Sequence, residues 1–349
     1  MLRSLDLFSG VGGLTKGLEA AGINALAAFE SDPSIRKSFR ANFPEVEMVS
    51  GDVRDVDFSD WRGGVDIIVG GPPCQPFSVA GRQLSSLDPR DCVPEFIRAV
   101  AQSEPRAFLM ENVSGLAALR HRNYLSAVME SLGSLGYEVR ASVLDAADYG
   151  VPQFRKRLFI VGAKETSFLF PAATHGENRR IPRATSADAL RDTPEDIPNT
   201  ARITYAKKPI LRPQPWDGML VNGGGRPINP EEPSQTIPAS AGGNRTHILD
   251  PDGILAKYHT HLMNGGRPRE GDVPGVRRLT VRESARLQSF PDGHAFVGPQ
   301  SSRYRQVGNA VPPLLAEALA KSLMKQLSGE KEMSPDTSAA WQSTLPLSF

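Results

Sequence analysis

The sequence predicts an α/β fold, a doubly wound and mainly parallel sheet with a smaller, loop-rich domain attached. Two observations predict it. Through the first 165 residues, short apolar runs alternate with stretches of helical spacing, the rhythm of strands joined by crossover helices that cover both faces of a sheet. From about residue 166 to 277, Pro and Gly become frequent and long helical periodicity disappears. Loops carried on a rigid scaffold often recognise ligands.

The elements follow in order. Leu2–Phe8 reads as a strand, Gly10–Gly13 as a turn and Leu14–Ala21 as a helix. Asn24–Glu30 is a second strand and Ser34–Asn42 a second helix. The apolar runs Asp66–Gly70, Ala107–Met110 and Leu158–Gly162 are further strands, with helical stretches between them. Helix returns at Thr280–Ser289 and from about Pro312 to Leu327, whereas Ser328–Phe349 is polar, lacks periodicity and reads as a disordered tail.

Composition narrows the class. The chain has 349 residues, 40% hydrophobic and 23% charged, enough to bury a large core. No run of roughly 18 apolar residues could span a bilayer, and MLRSLDLFSG lacks the apolar stretch of a secretory leader. Two cysteines cannot build a disulfide framework, so a reducing, cytoplasmic setting is expected, where a single thiol can carry chemistry. The net charge of +1 argues against a bulk electrostatic nucleic-acid binder, but it divides unevenly. Residues 1–150 hold 14 Lys+Arg against 20 Asp+Glu, and residues 151–330 hold 25 against 17. That division fits a basic half facing a polyanion, and equally fits two unrelated surfaces.

Four motifs carry chemistry. DLFSGVGGL (residues 6–14) follows a strand and opens a helix, where free N–H groups and glycine allow close approach of a ligand. Glu30 ends the next strand, placed for ribose hydroxyls, and Asp52 can accept from an adenine amino group. Together they suggest an adenosine-containing cofactor, while the spacing departs from the dinucleotide G-x-G-x-x-G pattern. GPPCQPFS (71–78) puts Cys74 after a strand and two prolines, where a thiol can be a nucleophile. Gln75 and Ser78 make that position polar, whereas Cys92 reads as a buried structural thiol. Glu111, in ENV (111–113), can act as a general acid, bind a heterocycle or cap a helix. QFRKR (153–157) sends Arg155 and Arg157 to one side of a strand, either to hold phosphate or a carbonyl or to form a solvated basic edge. His259 and His261 have no third ligand at sensible spacing, so they read as solvent-facing or DNA-facing and no metal is expected.

With RLTVRESARLQSFPD (278–292) and RYRQVGNAVPPLLAEAL (303–319), these motifs occur in the order found in cytosine-C5 DNA methyltransferases of the bacterial type. The chain resembles that family over nearly all of residues 3–325 outside the variable segment. The resemblance implies an S-adenosylmethionine-dependent methyltransferase fold. Its cofactor and catalytic domain would take in residues 1–165 and 302–327, with target recognition at 166–277 and a bridging segment at 278–301. It implies that Cys74 adds to C6 of a flipped-out cytosine, Glu111 holds N3 and the exocyclic amine, Arg157 contacts O2, and Arg155 supports Cys74.

Cofactor contacts carry over to Phe8, Ser9, Gly10, Val11, Gly12, Gly13 and Leu14, to Glu30, Ser31, Asp52, Val53, Pro72 and Val93, and to Asn309, Ala310 and Val311. Ser31 stands where many relatives carry a bulky residue, which implies weaker stacking on adenine. The loop 75–92 would close over the base, with Gln75 and Ser78 touching the strand. PSQTI (233–237) resembles the Thr-plus-apolar signature of the recognition regions, making Thr236 and the glycine-loop residue Arg226 candidate DNA contacts. The implied partner is double-stranded DNA, bound by a monomer that can act beside an independent restriction endonuclease. A tRNA methyltransferase would carry a Cys-Phe-Thr tripeptide that does not occur here, and the intact catalytic residues speak against an inactive DNA-binding regulator.

Overall fold

The computed structural model describes residues 1–73 and 91–329. Among them, seven strands form one sheet in the order β3-β2-β1-β4-β5-β7-β6. These are β1 (Arg3–Leu7), β2 (Asn24–Phe29), β3 (Glu47–Val49), β4 (Ile67–Gly70), β5 (Ala107–Val113), β6 (Glu138–Asp145) and β7 (Lys156–Ala163). The first five pair in parallel, and β7 enters antiparallel between β5 and β6. The mainly parallel sheet read from the sequence is therefore present.

Its strands read as continuous apolar runs because both faces are covered. On one face Phe58, Phe96, Val100, Leu125 and Leu132 pack over Leu5, Ile68, Phe108 and Ile160. These residues come in part from α3 (Val93–Ser103) and α4 (Arg122–Gly133), helices left unbounded in the sequence reading. On the other face lie α1 (Gly13–Ala20) and the chain's last helix, α9 (Pro313–Leu327). Leu14 and Leu18 of α1 meet Leu315, Leu319 and Leu323 of α9 against Val69, Leu109 and Phe159.

The two helices touch closely through Gly17. A Cβ there would lie 2.4 Å from Ala316 Cβ and 2.6 Å from the Glu317 backbone nitrogen. Backbone cannot retreat as a side-chain tip can, so Gly17→Val is expected to destabilise by about 1–3 kcal/mol, toward the upper end. A thermal melt indistinguishable from wild type would show that the α1–α9 contact is not close-packed in solution.

Several elements differ from expectation: β7 begins at Lys156, two residues before the apolar run, and β3 and β6 were not among the expected strands. β5 runs through Glu111 to Val113, beyond the apolar run, because β7 pairs with it as far as Val113 opposite Arg157. Glu111 is thus a strand residue and not a helix cap. Segment 166–277 also contains a ten-residue helix, α6 (Ile254–Met263), after the short α5 (Ser186–Leu190). The Asp250 carboxylate starts α6 by accepting from the N–H groups of Ile254, Leu255 and Ala256. Leu255, Tyr258 and Leu262 bury one stripe against Tyr205, Leu220 and Ile248. His259 follows the same stripe: it is buried with Nε2 2.7 Å from the Arg212 carbonyl, and it faces neither solvent nor a ligand. His261, by contrast, is exposed.

The sequence-read helix near 280 is α7 (Val281–Leu287), begun by a reciprocal cap in which Thr280 accepts from Glu283 N and Glu283 accepts from Thr280 N. It packs with α8 (Gln300–Asn309) around Leu279, Tyr304 and Val307. None of the described helices is long and apolar enough to cross a membrane. The expectations for Cys74, Gln75, Ser78 and most of the 75–92 loop, and for the tail beyond 329, lie outside the described residues.

Candidate active site

Strand order reverses at β1: β2 and β3 lie to one side, β4 and β5 to the other. Crossovers leaving β1 and β4 diverge there, opening a crevice at the carboxyl ends of the strands. A cleft of about 1170 Å³ lies at this point. Its floor is the turn after β1, where Phe8, Gly10 and Gly12 have φ of 56°, 57° and 84°. Glu30, at the end of β2, ties the turn down by accepting from Gly10 N at 3.1 Å and Asp32 N at 2.8 Å. Burial pushes the Glu30 carboxyl above its ordinary pKa, an effect those two N–H groups oppose.

Phe8, Ser9, Gly10, Val11, Gly13, Leu14, Glu30, Ser31, Asp52, Val53 and Pro72 line the cleft, as do Asn309, Ala310 and Val311 from the far end of the chain. Two expected residues do not. Gly12 faces Phe43, whose ring a Cβ would meet at 2.2 Å, so glycine serves packing there. Val93 is 1% exposed and packed in the core with Val53 and Phe96. Asp52 caps the turn at 53–55 and pairs with Arg54 Nη1 at 2.9 Å; the Arg54 N–H holds its carboxyl below the ordinary range.

The cleft also takes in residues the sequence reading passed over. Ile35 sits one turn into α2 (Pro33–Asn42), beside Ser31, and Pro238, Ala239 and Ser240 come from the segment after PSQTI. Ser31 precedes the cap residue Asp32, so helical spacing does not link it to Ile35, and no signal in the sequence pointed to Ile35. Cys92 lines the cleft too, as a free and buried thiol pushed up by desolvation, so it is poor as a thiolate.

Glu111 and Arg157 meet on one sheet face because their positions dictate it. Glu111 pairs across the ladder with Phe159, and Val113 with Arg157. Cross-strand partners and residues two apart share a face, so Glu111 and Arg157 are diagonal neighbours. Arg157 Nε lies 2.9 Å from Glu111 Oε1, with the side chains 15% and 12% exposed. Burial raises the Glu111 pKa, and the Arg157 and Arg155 cations pull against that rise. Gly71 leaves room for the carboxyl, because a Cβ there would stand 3.0 Å from Glu111 Oε2.

Arg155 is 1% exposed and bonds to carbonyls only. Nη1 donates to Ile237 O at 3.1 Å, and Nη2 to Gly308 O at 2.8 Å and Ala310 O at 3.0 Å. It joins the start of β7, segment 166–277 and the cleft wall at 308–310. Neither Arg155 nor Arg157 forms a solvated basic edge.

Below the floor, Asp6 accepts from Thr15 Oγ1 at 2.6 Å while its Oδ1 is buried without a partner. Burial raises its pKa from 3.8 to about 7. The fold therefore favours the protonated form. Stability from this group is present below the unfolded pKa and is lost as pH rises through about 7. Asp6→Asn is expected to flatten that dependence, its melting temperature falling less than wild type between about pH 5 and 8. Equal slopes would show that Asp6 is ionised throughout. His294 braces the same turn from α7's side: Nε2 donates to Val11 O at 3.0 Å, and burial lowers its pKa to about 4.

Arg226 and Thr236 lie outside the cleft lining. The Thr236 hydroxyl donates to Phe154 O at 2.6 Å, just ahead of Arg155, although the residue remains exposed.

Comparison with known proteins agrees with this geometry. The family described as C-5 cytosine-specific DNA methylase matches residues 2–325. Type II methyltransferase M.NgoPII of Neisseria gonorrhoeae is 33% identical over 347 residues, covering 93% of this chain and 96% of the relative. M1.HphI of Haemophilus parahaemolyticus is 33% identical over 344 residues, covering 94% and 88%. Among solved structures, S. pombe Dnmt2 methyltransferase aligns with a TM-score of 0.68 at 18% identity, covering 94% of this chain and 99% of that one. A putative DNA modification methyltransferase encoded within an E. coli prophage aligns at 0.67 and 24%, covering 94% and 100%. At those identities the two structures speak for a shared fold alone. The two sequence relatives and the family match, with the Glu111–Arg157 pair beside the cleft at the switch point, lead to one conclusion: this chain belongs to the C-5 cytosine-specific DNA methylase family and is a DNA cytosine-5-methyltransferase.

Proposed function

We propose that the chain methylates C5 of a cytosine swung out of a specific short sequence in double-stranded DNA, using S-adenosylmethionine and a covalent adduct between Cys74 and C6. The observation that carries this reading is the buried Glu111 carboxyl paired with Arg157 on the wall of the cleft. Cytosine C5 is a poor nucleophile. A thiolate adding at C6 forms a C–S bond and drives the ring electrons toward C5, provided N3 receives a proton. Burial favours the protonated form of Glu111 against the pull of Arg157 and Arg155, and in that form it would supply the proton for N3. Arg157 carries donors for O2. After methylation a base removes the C5 proton, and the C–S bond breaks to release Cys74. A base inside a duplex reaches none of these groups, so it must leave the stack.

The cleft fits an adenosine-bearing methyl donor. Ser9 Oγ lines it, buried without a partner, and a Cβ on Gly10 would meet nothing within 4 Å, leaving open space above the turn. Glu30 would take the ribose hydroxyls, Asp52 the adenine amine and Val53 an adenine face. Ile35 offers apolar surface where Ser31 cannot. When bound, the donor supplies a methyl group on an electrophilic sulfonium. Gly13 and Leu14, which line the floor, would hold it from below, and Asn309, Ala310 and Val311 would close the wall.

The relatives are type II methyltransferases, which supports a restriction-modification setting; a fixed recognition sequence, a monomeric enzyme and an independently acting restriction endonuclease are part of the same proposal. Transfer of labelled methyl groups tests the whole reading. Wild type is expected to label duplex DNA and not tRNA, and Cys74→Ser to label neither while still binding the donor. Labelling of tRNA alone, or an active Cys74→Ser enzyme, would overturn it.

A further inference from the structure

Two loops of the basic half are locked together backbone to backbone. Gly224 N donates to Asn244 O at 3.2 Å, and Ile248 N to Arg226 O at 2.9 Å. A Cβ at Gly223 would stand 2.1 Å from Asn244 O, and one at Gly225 2.0 Å from Thr246 O. The glycines at 223 and 225 therefore permit this contact, and substitution at either would drive backbone from backbone. Arg278 runs beneath both loops, 1% exposed, with Nη1 donating to Thr246 O at 2.8 Å and Nη2 to Asn222 O at 3.4 Å. Thr246 Oγ1 accepts from Gly242 N at 3.1 Å and Asn199 Nδ2 at 3.0 Å. Loop 242–246 is thus held on both flanks and from below.

On that fixed loop Asn244 and Arg245 are exposed. Several arginines of this half are already used within the fold: Arg183, Arg191, Arg202, Arg277 and Arg286 pair with carboxylates. Arg245 and its half-buried neighbour Arg226 make no side-chain hydrogen bond or ion pair among the described residues. The loop also continues directly from Ser240 in the cleft wall. Five residues of chain span at most about 18 Å, and base pairs stack every ~3.4 Å. Arg245 therefore reaches only the few base pairs beside a cytosine held in the cleft.

We propose that loop 242–246 reads those flanking base pairs, with Arg245 and Asn244 bonding to base edges and Arg278 as the buried positioning residue. This rests on the duplex-DNA reading above. An Arg guanidinium matches the two acceptors of guanine, and an Asn amide the acceptor and donor of adenine. A rigid loop presents them with little ordering cost on binding.

The test is methylation of a duplex library with randomised flanks, read by bisulfite sequencing, for wild type, Arg245→Ala, Asn244→Ala and Arg278→Lys. Arg245→Ala is expected to lose about 5- to 150-fold of discrimination at one position and keep it elsewhere. Asn244→Ala should relax a neighbouring position. Arg278→Lys should blur both positions together, because it acts through the loop that carries Asn244 and Arg245. Unchanged preferences would overturn the proposal. So would a uniform loss across all sequences with a shallower salt dependence, which marks a phosphate contact. A wild-type enzyme with no preferred duplex sequence would instead sink the underlying functional reading.

Discussion

Glu111→Gln is expected to lower kcat by about 10²- to 10⁴-fold with donor binding unchanged. The substitution keeps shape, and the amide oxygen can still accept from Arg157 Nε, now 2.9 Å from Oε1. What it removes is the proton. The carboxyl at 111 is buried, so its pKa stands above the ordinary range despite the Arg157 and Arg155 cations. A protonated carboxyl can give N3 its proton; an amide only donates a hydrogen bond. In wild type the group loses that proton as pH rises through its raised pKa, so activity should end on an alkaline limb that the Gln variant lacks. Single-turnover methyl transfer across pH measures both effects. A kcat within tenfold of wild type would remove Glu111 from the chemistry.

Arg155→Ala should be the most destabilising change near the cleft. Its guanidinium donates to the carbonyls of Ile237, Gly308 and Ala310 without a carboxylate partner. Burial and the neighbouring Arg157 push its pKa well down, while the Glu111 carboxyl opposes that shift and the three carbonyls give the cation its hydrogen bonds. Hydrogen bonds to a charged group contribute about 1.5–3 kcal/mol each. Their loss leaves buried carbonyls unpaired, so a net cost of about 3–5 kcal/mol is expected. For a chain of this size that is a drop of roughly 4–7 °C in melting temperature. Because Ala310 lines the cleft proposed for the donor and Ile237 lies in the segment proposed to meet DNA, donor and DNA affinity should both weaken. Arg155→Lys, which keeps one charge and reaches fewer acceptors, should fall between. If Arg155→Ala melts like wild type, the bracket has no energetic role.

Much of this was legible in order along the chain. Strands β1, β2, β4 and β7 appear as apolar runs because both sheet faces are covered, and that pattern survives without knowledge of partners. The turn at 8–14 was legible because glycine is required where φ is positive, as at Gly10 and Gly12. Yet Gly12 turned out to serve the Phe43 ring and not the cleft, a distinction no motif carries. β5 was read three residues short, since Glu111 is polar and only pairing with β7 holds it in a strand. Helix α6 was missed although Leu255, Tyr258 and Leu262 have helical spacing, because flanking Pro and Gly masked a ten-residue pattern.

Charge shows the same division. Composition by region separated an acidic first half from a basic second half. It could not say which cations are spent: Arg202 and Arg277 pair with carboxylates and Arg278 turns to buried carbonyls.

By itself the sequence determined the sheet-and-helix alternation, the glycine turn, Glu30, and the residue types of the catalytic set, because each depends on local backbone geometry or on side-chain chemistry at one position. Only the tertiary structure decided which of them meet. Arg157 reaches Glu111 across an antiparallel register, Arg155 binds carbonyls as far away as Ala310, and Val311 lies over Gly13. Those contacts arise from how the strands pair and the helices pack, and such long-range geometry leaves no periodicity in the chain to be read.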